Sequence, residues 1–253
     1  MGNSKEKKPE NKDDEMDKEE EEYYNEFIKD LKVDTEKIKK NLKKHKKNEE
    51  LIILIESGSL APPHKMHIGL MEITKKYIEE KDKNKKVIGG YLIPSSDSYV
   101  RYKLGKDFIP LIHRVNMSKL YIKDSDWLEV LDWGLAYGEE IKICLQKIIN
   151  KTFPKYNIKC VLVFGIDYYL KNRINLKDTH ICIFRPGYDI DKVKILYPQN
   201  LIFVEGKDVD INSTSIRKAI KENDDKTINE LTSKEIFDYI KNNDIFKDEK
   251  NNK

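Results

Sequence analysis

Two histidines three residues apart, His64 and His67, open a helix-periodic stretch that follows the segment Glu56-Ser57-Gly58-Ser59-Leu60-Ala61-Pro62-Pro63. That segment itself follows an apolar run at residues 51–55, so the pattern is strand, turn, helix. Gly58 and Ser59 at a strand end would let a phosphate approach the backbone closely. Pro62 and Pro63 make a rigid descent, because proline sits in a first helical turn without losing a hydrogen bond. Residues three apart share one side of a helix. At a helix entrance the open backbone N–H groups favour an anion, and two imidazoles would add directional donors. A plain strand-to-helix loop with surface or capping histidines is the alternative. Zinc ligation needs a His-x-x-x-His pair backed by a carboxylate, which this spacing does not supply.

A second anion-ready start lies far along the chain. After an apolar run at residues 201–204 comes Ile211-Asn212-Ser213-Thr214-Ser215-Ile216-Arg217-Lys218. Ser213 or Thr214 reads as an N-cap, with the apolar period of Ile216, Ala219 and Ile220 beginning directly after it. Arg217 lies one turn inside, within reach of a phosphate held at the helix start. Alone, the segment reads as a capped helix with an exposed Arg217 and Lys218. Two such starts in one domain suit a polyphosphate.

The elements that must position these residues follow from hydrophobic period. Short apolar runs rich in β-branched residues fall at 51–55, 87–93, 127–131, 160–164, 181–184 and 201–204. Helix-period segments occupy 68–80, 109–121, 139–149, 213–221 and 234–241. Apolar strands separated by helices indicate a parallel sheet covered on both faces. The expected fold is a doubly wound α/β domain of about six strands, with ligands bound beyond the carboxyl ends of the strands near the switch in strand order.

Composition sets the outer limits. The chain has 253 residues, 38% of them hydrophobic, with 48 basic and 45 acidic residues and a net charge of +3. The first 50 positions hold 30 of those charges. Residues 1–50 therefore read as a solvated, disordered or partly helical tail, with a thin apolar stripe over 23–42. The folded domain is expected at 51–247 and a polar end at 248–253. Near-balanced charge argues against a nucleic-acid partner. No apolar run approaches the roughly 18 residues of a membrane span, so no membrane partner is expected. Cys144, Cys160 and Cys182 are far apart and odd in number, which fits buried thiols in a cytoplasmic or nuclear, reducing compartment rather than a secreted protein.

Taken together, these motifs carry a family resemblance. Gly-Ser followed by His-x-x-His, with a distant Ser-Thr-x-x-Arg, resembles the nucleotidylyltransferase superfamily. Within it the chain is similar to the eukaryotic-type nicotinamide/nicotinate mononucleotide adenylyltransferases over about residues 51–246. Val87-Ile88-Gly89-Gly90, Ile93-Pro94, Asp97-Ser98-Tyr99, His113-Arg114-Val115, the 126–133 segment and Phe164-Gly165-Ile166-Asp167 follow in family order. The resemblance implies a Rossmann-like sheet and transfer of AMP from ATP to a pyridine mononucleotide, giving NAD or deamido-NAD and pyrophosphate. It implies that Gly58, Ser59, His64 and His67 meet the ATP phosphates, that Ser213, Thr214 and Arg217 bind the departing pyrophosphate, and that Gly165 and Asp167 hold the ATP ribose and adenine side. Ser59, Arg101 and Trp133 would serve the mononucleotide, Trp133 by stacking on the pyridine ring. His67, His64 and Arg217 are the implied catalytic residues. Magnesium would arrive with ATP, with few or no direct protein ligands. The family's dimers and larger assemblies imply a homo-oligomer.

The chain departs from the family pattern at identifiable places. Leu60-Ala61 stand where the family usually has Phe-Asn, which removes one amide from the phosphate loop, and Ile166 replaces an alanine. The loop at residues 101–112 is about four residues longer than usual. A related transferase acting on phosphopantetheine or phosphocholine is an alternative, as is a nucleotide-binding protein of reduced turnover acting as a chaperone or scaffold. Both the amidated and the acidic mononucleotide remain candidates. Trp127, His113, His180 and His45 read as packing or capping residues.

Overall fold

The apolar runs pair side by side as one six-stranded parallel sheet in the computed structural model, which describes residues 18–46, 49–172, 178–196, 201–206 and 211–246. Two helices precede the sheet, α1 (Lys18–Phe27) and α2 (Glu36–Leu42). The chain continues through β1 (Glu50–Gly58), α3 (Lys65–Lys81), β2 (Lys85–Pro94), α4 (Asp97–Leu104), α5 (Leu111–Tyr121) and β3 (Leu128–Val130). It then passes α6 (Gly138–Thr152), β4 (Ile158–Gly165), α7 (Ile166–Asn172), β5 (His180–Phe184), α8 (Ile190–Leu196) and β6 (Leu201–Glu205). Helices α9 (Ser213–Glu222), α10 (Asp225–Leu231) and α11 (Lys234–Asn242) complete the described part. Strand order is β3-β2-β1-β4-β5-β6, every neighbouring pair parallel. The order reverses between β1 and β4, which makes their carboxyl ends the switch point where ligands enter such sheets.

Alternation along β1 assigns the two faces. Ile53 and Ile55 enter a core with Ile38 and Leu42 of α2 and Ile141, Leu145 and Ile149 of α6. Ile52 and Leu54 enter the opposite core with Met71 and Ile78 of α3 and Val115 of α5. Successive side chains of a strand face opposite ways, so the next even position, Glu56, points toward α3. The apolar period marks β1 as ending at Ile55, but its pairing with β2 continues as far as Gly58 opposite Pro94. Glu56 and Ser57 are therefore strand residues.

The structure differs from the sequence reading at the N-terminus. The apolar stripe over 23–42 is not one helix: α1 ends at Phe27, a short 3-10 turn covers Ile28–Asp30, and α2 begins only at Glu36. Asp34 and Thr35 favour local hydrogen bonds over a continuing helix, and Asp34 Oδ1 accepts from the Glu36 N–H at 2.9 Å. Rather than lying in solvent ahead of a domain that starts at residue 51, α2 buries Ile38 and Leu42 in the core. Asn41 donates to the Ile88 carbonyl at 3.1 Å, and Tyr91 donates to the Asp34 carbonyl at 2.7 Å. Gly89 permits this approach, because a Cβ there would lie 2.8 Å from the Ile38 side chain. Residues 1–17 and 247–253 lie outside the described residues.

Two further differences concern the loop after β2. Residues 101–104, read as the start of a loop over 101–112, instead complete α4, which Ser96 caps by accepting from the Tyr99 N–H. The helix expected from Ile109 begins instead at Leu111, since a residue before proline avoids the helical region and Pro110 takes the N-cap. Trp127 is buried, and its indole N–H donates to Glu72 at 3.1 Å, as befits a core residue. The three cysteines are buried and unpaired.

Candidate active site at the ends of β1 and β4

A cavity of about 420 Å³ opens at the switch point. Gly58, Ser59, His64 and His67 line one side, Gly165 and Asp167 another, and Ser213 a third. A Cβ built on Gly58 or Gly165 would meet nothing within 4 Å, so a ligand has open backbone at both strand ends. Helix α3 starts three residues earlier than the apolar period alone indicates, with His64 as N-cap and His67 in the first turn. The two imidazoles stack with centroids 3.9 Å apart. The sequence-derived set around the first strand end is thus assembled in one place.

The loop 58–64 owes its shape to one backbone N–H and four side chains behind it. Its carbonyls are taken in turn: Gly58 by the Ser95 N–H at 2.8 Å, Ser59 by Arg114 Nη1 at 3.0 Å, Ala61 by Arg217 Nη1 at 2.9 Å, Pro62 by Ser213 Oγ at 2.8 Å and Pro63 by Thr232 Oγ1 at 3.0 Å. Arg114 is fully buried and also donates to Asp97 at 2.8 Å. Drawing the carbonyls away from the cavity leaves it lined by groups that suit an anion. Ala61, where the resemblance implied a lost amide, is buried among Val100, Ile109, Met117, Ile236 and Ile240. That departure from the family pattern is a packing feature here.

The α9 side departs from the sequence reading. Asn212, not Ser213 or Thr214, is the N-cap, its Oδ1 accepting from the Ser215 N–H at 2.9 Å. Arg217 does not line the cavity. It is 6% exposed and holds the Ala61 carbonyl, Thr214 Oγ1 at 3.0 Å and, across 3.5 Å, Asp107. Thr214 is exposed and also lies off the cavity lining. Of this motif only Ser213 borders the ligand space, while Arg217 braces the loop.

The mononucleotide residues divide as well. Ser59 is in place, accepting from Lys103 Nζ at 3.1 Å. Arg101 stacks over Phe108 at 3.9 Å and does not line the cavity, whereas Lys103 does. A loop alignment selects Arg101. Once the segment is a helix, positions two apart face different ways, and Lys103 is the one turned inward. Trp133 is half-buried, its indole N–H held by the Lys32 carbonyl at 2.9 Å, and it lines neither this cavity nor a neighbouring one. That neighbouring cavity, about 300 Å³, is bounded by Ser57, Tyr137, Glu139, Leu162, Phe164 and Tyr168.

Sequence reasoning missed Glu56, Lys103 and Arg185. Arg185 follows β5 and donates to Asp167 at 3.0 Å, and Tyr188 donates to the same carboxylate. Glu56 is 4% exposed and in short contact with His67 Nδ1. Burial drives the electrostatics. It raises the Glu56 carboxyl well above its ordinary range. It lowers His64 to about 2, with His67 adding to the effect, and lowers His67 to about 3, with Lys103 adding. Both rings are therefore neutral at pH 7, burial favours the protonated form of Glu56, and Lys103 and Arg185 supply the basic side chains of the cavity. The buried acid was legible only as a polar residue closing an apolar run.

Known proteins place this architecture. The cytidylyltransferase-like family model matches residues 55–219, from the second half of β1 through most of α9. The chain belongs to the cytidylyltransferase-like family. It is 24% identical to nicotinamide/nicotinic acid mononucleotide adenylyltransferase 1 of Bos taurus, over 78% of this chain and 89% of that protein. It is 25% identical to the Arabidopsis thaliana nicotinamide/nicotinic acid mononucleotide adenylyltransferase, over 77% of this chain and 90% of that protein. Among solved structures, the Plasmodium falciparum nicotinic acid mononucleotide adenylyltransferase complexed with APC superposes with a TM-score of 0.54 at 18% identity. That match covers 77% of this chain and 96% of the solved one, and it confirms the Rossmann-like α/β fold. No described helix is long and apolar enough to cross a membrane.

Proposed function

We propose that this member of the family is a nicotinamide/nicotinate-nucleotide adenylyltransferase, forming NAD or deamido-NAD and pyrophosphate from ATP and a pyridine mononucleotide. The observation that carries the proposal is the cavity of about 420 Å³ at the β1/β4 switch point. There the Gly58-Ser59 strand end, the stacked His64 and His67, and Gly165-Asp167 converge. The names of the relatives supply the substrate class.

In this reading the triphosphate lies along the loop 58–64, with the ribose toward Gly165 and Asp167. The mononucleotide phosphate sits at Ser59 and Lys103, and its ring enters the neighbouring cavity beside Phe164 and Tyr168. Trp133, bonded to the Lys32 carbonyl, and Arg101, stacked on Phe108, line neither cavity and are given no ligand contact in this reading. The attacking phosphate is already anionic, so no protein nucleophile is needed. Its oxygen forms a bond to the α-phosphorus as the bond to pyrophosphate breaks, and the chain contributes alignment and charge stabilisation. His64 and His67 donate to phosphate oxygens, and Lys103 offsets their charge. Ser213 can reach the leaving group only by exchanging its bond to Pro62.

Magnesium, when bound with ATP, supplies charge neutralisation between the phosphates. The cavity's two carboxylates are engaged, Glu56 by His67 and Asp167 by Arg185 and Tyr188. The ion would therefore take phosphate oxygens and water, as magnesium commonly does with nucleotides. A homo-oligomer belongs to the same proposal, and sedimentation of the purified chain tests it. For the activity, pyrophosphate release is measured with ATP and each mononucleotide, separately and together. Release that requires both substrates is expected; release from ATP alone, or none, rejects the assignment. The amide and acid arms also determine preference.

A further inference from the structure

We propose that Glu56 is a positioning residue that fixes the proton of His67 on Nε2, so that this nitrogen donates to the ATP phosphates; the inference rests on the reading of the cavity given above. The geometry is local and specific. Glu56 lies on the α3 face of β1, continuing the row of Ile52 and Leu54, and its Oε1 meets His67 Nδ1. His67 Nε2 and Glu56 Oε2 are buried without a hydrogen-bond partner, although the His67 ring lines the cavity. A buried polar atom left open beside a ligand space points to a partner that the ligand brings. The charged and titratable neighbours are His64 on α3, Lys103 on α4, and Asp167 with Arg185 at the ends of β4 and β5.

The tautomer follows from which partner of the short contact holds the proton. Were Glu56 ionised, Nδ1 would carry the hydrogen, and neutral His67 would offer a lone pair at Nε2, which repels phosphate. With Glu56 as the acid, its O–H donates to Nδ1 and the ring's own hydrogen sits on Nε2, now a donor. Burial of the carboxyl favours this second arrangement. The pair can also respond to charge. As negative charge gathers on the departing pyrophosphate, the proton shifts from Glu56 Oε1 to His67 Nδ1. The O–H bonding electrons stay on the carboxylate, and the Nδ1 lone pair forms the new N–H bond. His67 becomes an imidazolium facing the phosphates, with its countercharge at its back. The proton returns when product leaves, so none is consumed.

Two variants of the full chain separate the roles. In Glu56→Gln the amide N–H can still donate to Nδ1, which keeps the Nε2–H tautomer, but it has no proton to transfer. Nitrogen-15 NMR of the ligand-free protein, with the His67 signal assigned by its loss in His67→Ala, should show Nε2–H in the parent and in Glu56→Gln. Glu56→Ala should show a mixture of tautomers. Steady-state kinetics should give at least a tenfold lower kcat for Glu56→Gln with the ATP KM within threefold, and a lower kcat with a raised KM for Glu56→Ala. An Nδ1–H tautomer in the parent, or an unchanged Nε2–H tautomer in Glu56→Ala, overturns the proposal; a Glu56→Gln kcat within twofold of the parent overturns the proton shift. A tautomer change in Glu56→Ala in a chain that transfers no adenylyl group would retain the positioning role and reject the substrate reading instead.

Discussion

Two helix starts flank the loop after β1, and by residue type each looks ready for an anion. The α3 start turns its polar groups toward the ligand space: His64 and His67 stack at the cavity wall and leave ring nitrogens open. The α9 start turns most of its polar groups toward protein, with Asn212 capping, Arg217 bonded to Ala61 and Thr214, and Ser213 bonded to Pro62. Capping and bracing satisfy the same donors that would otherwise meet a phosphate. The difference lies in whether the donors are already engaged, which spacing along the chain does not encode.

Removing Arg217 should produce the largest effect, and it should appear in stability. Arg217→Met leaves the buried Ala61 carbonyl without its partner and Asp107 paired with Lys221 alone, at a cost of about 3 kcal/mol. Urea unfolding measures this, and a loss confined to ATP affinity would show that the α9 start is a ligand site after all. His67→Ala should be next, lowering kcat by about 100-fold, or roughly 2.7 kcal/mol, by analogy with losing one preorganised donor. A change under threefold would remove His67 from the mechanism.

Acid sensitivity sharpens the contrast on the α3 side. The folded pKa of His64, about 2, lies below its ordinary 6.5, so the unfolded chain binds the extra proton. Stability linked to His64 is therefore complete above pH 6.5 and is lost as pH falls below it. The loss is about 2 kcal/mol by pH 5. Burial shifts Glu56 and His67 in opposite directions, so their contributions to the slope between the ordinary values of 4.5 and 6.5 oppose one another. Unfolding of His64→Asn at pH 7 and pH 5 should show a correspondingly smaller pH dependence than the parent. The smallest effect separates two cations of α4: Lys103→Met should raise the mononucleotide KM about tenfold, or roughly 1.4 kcal/mol, and Arg101→Met less than twofold. Equal effects would contradict the placement of Lys103.

The six strands were legible because strands of a covered parallel sheet are apolar throughout, and such runs stand out against charged helices. Gly58, Ser59, His64 and His67 were legible because strand, turn and helix leave few other ways to fold. Residues 31–42 were not, because eight of those twelve are polar and the core contact depends on a few apolar side chains meeting Gly89. Glu56 escaped notice because one acid at the end of an apolar run reads as a strand terminus, and only pairing with β2 extends the strand past it. Lys103 was hidden by the longer loop, whose helical turn changes which basic residue faces inward.

Nucleotide phosphates are expected on the α3 side of the loop, while the α9 side holds the loop in shape. A crystal structure with a non-hydrolysable ATP analogue tests this placement most directly. A phosphate oxygen should lie within about 3.2 Å of His67 Nε2, with the bond from Arg217 to the Ala61 carbonyl intact. Phosphates bound to Arg217 with that bond broken, and His67 out of reach, would contradict it.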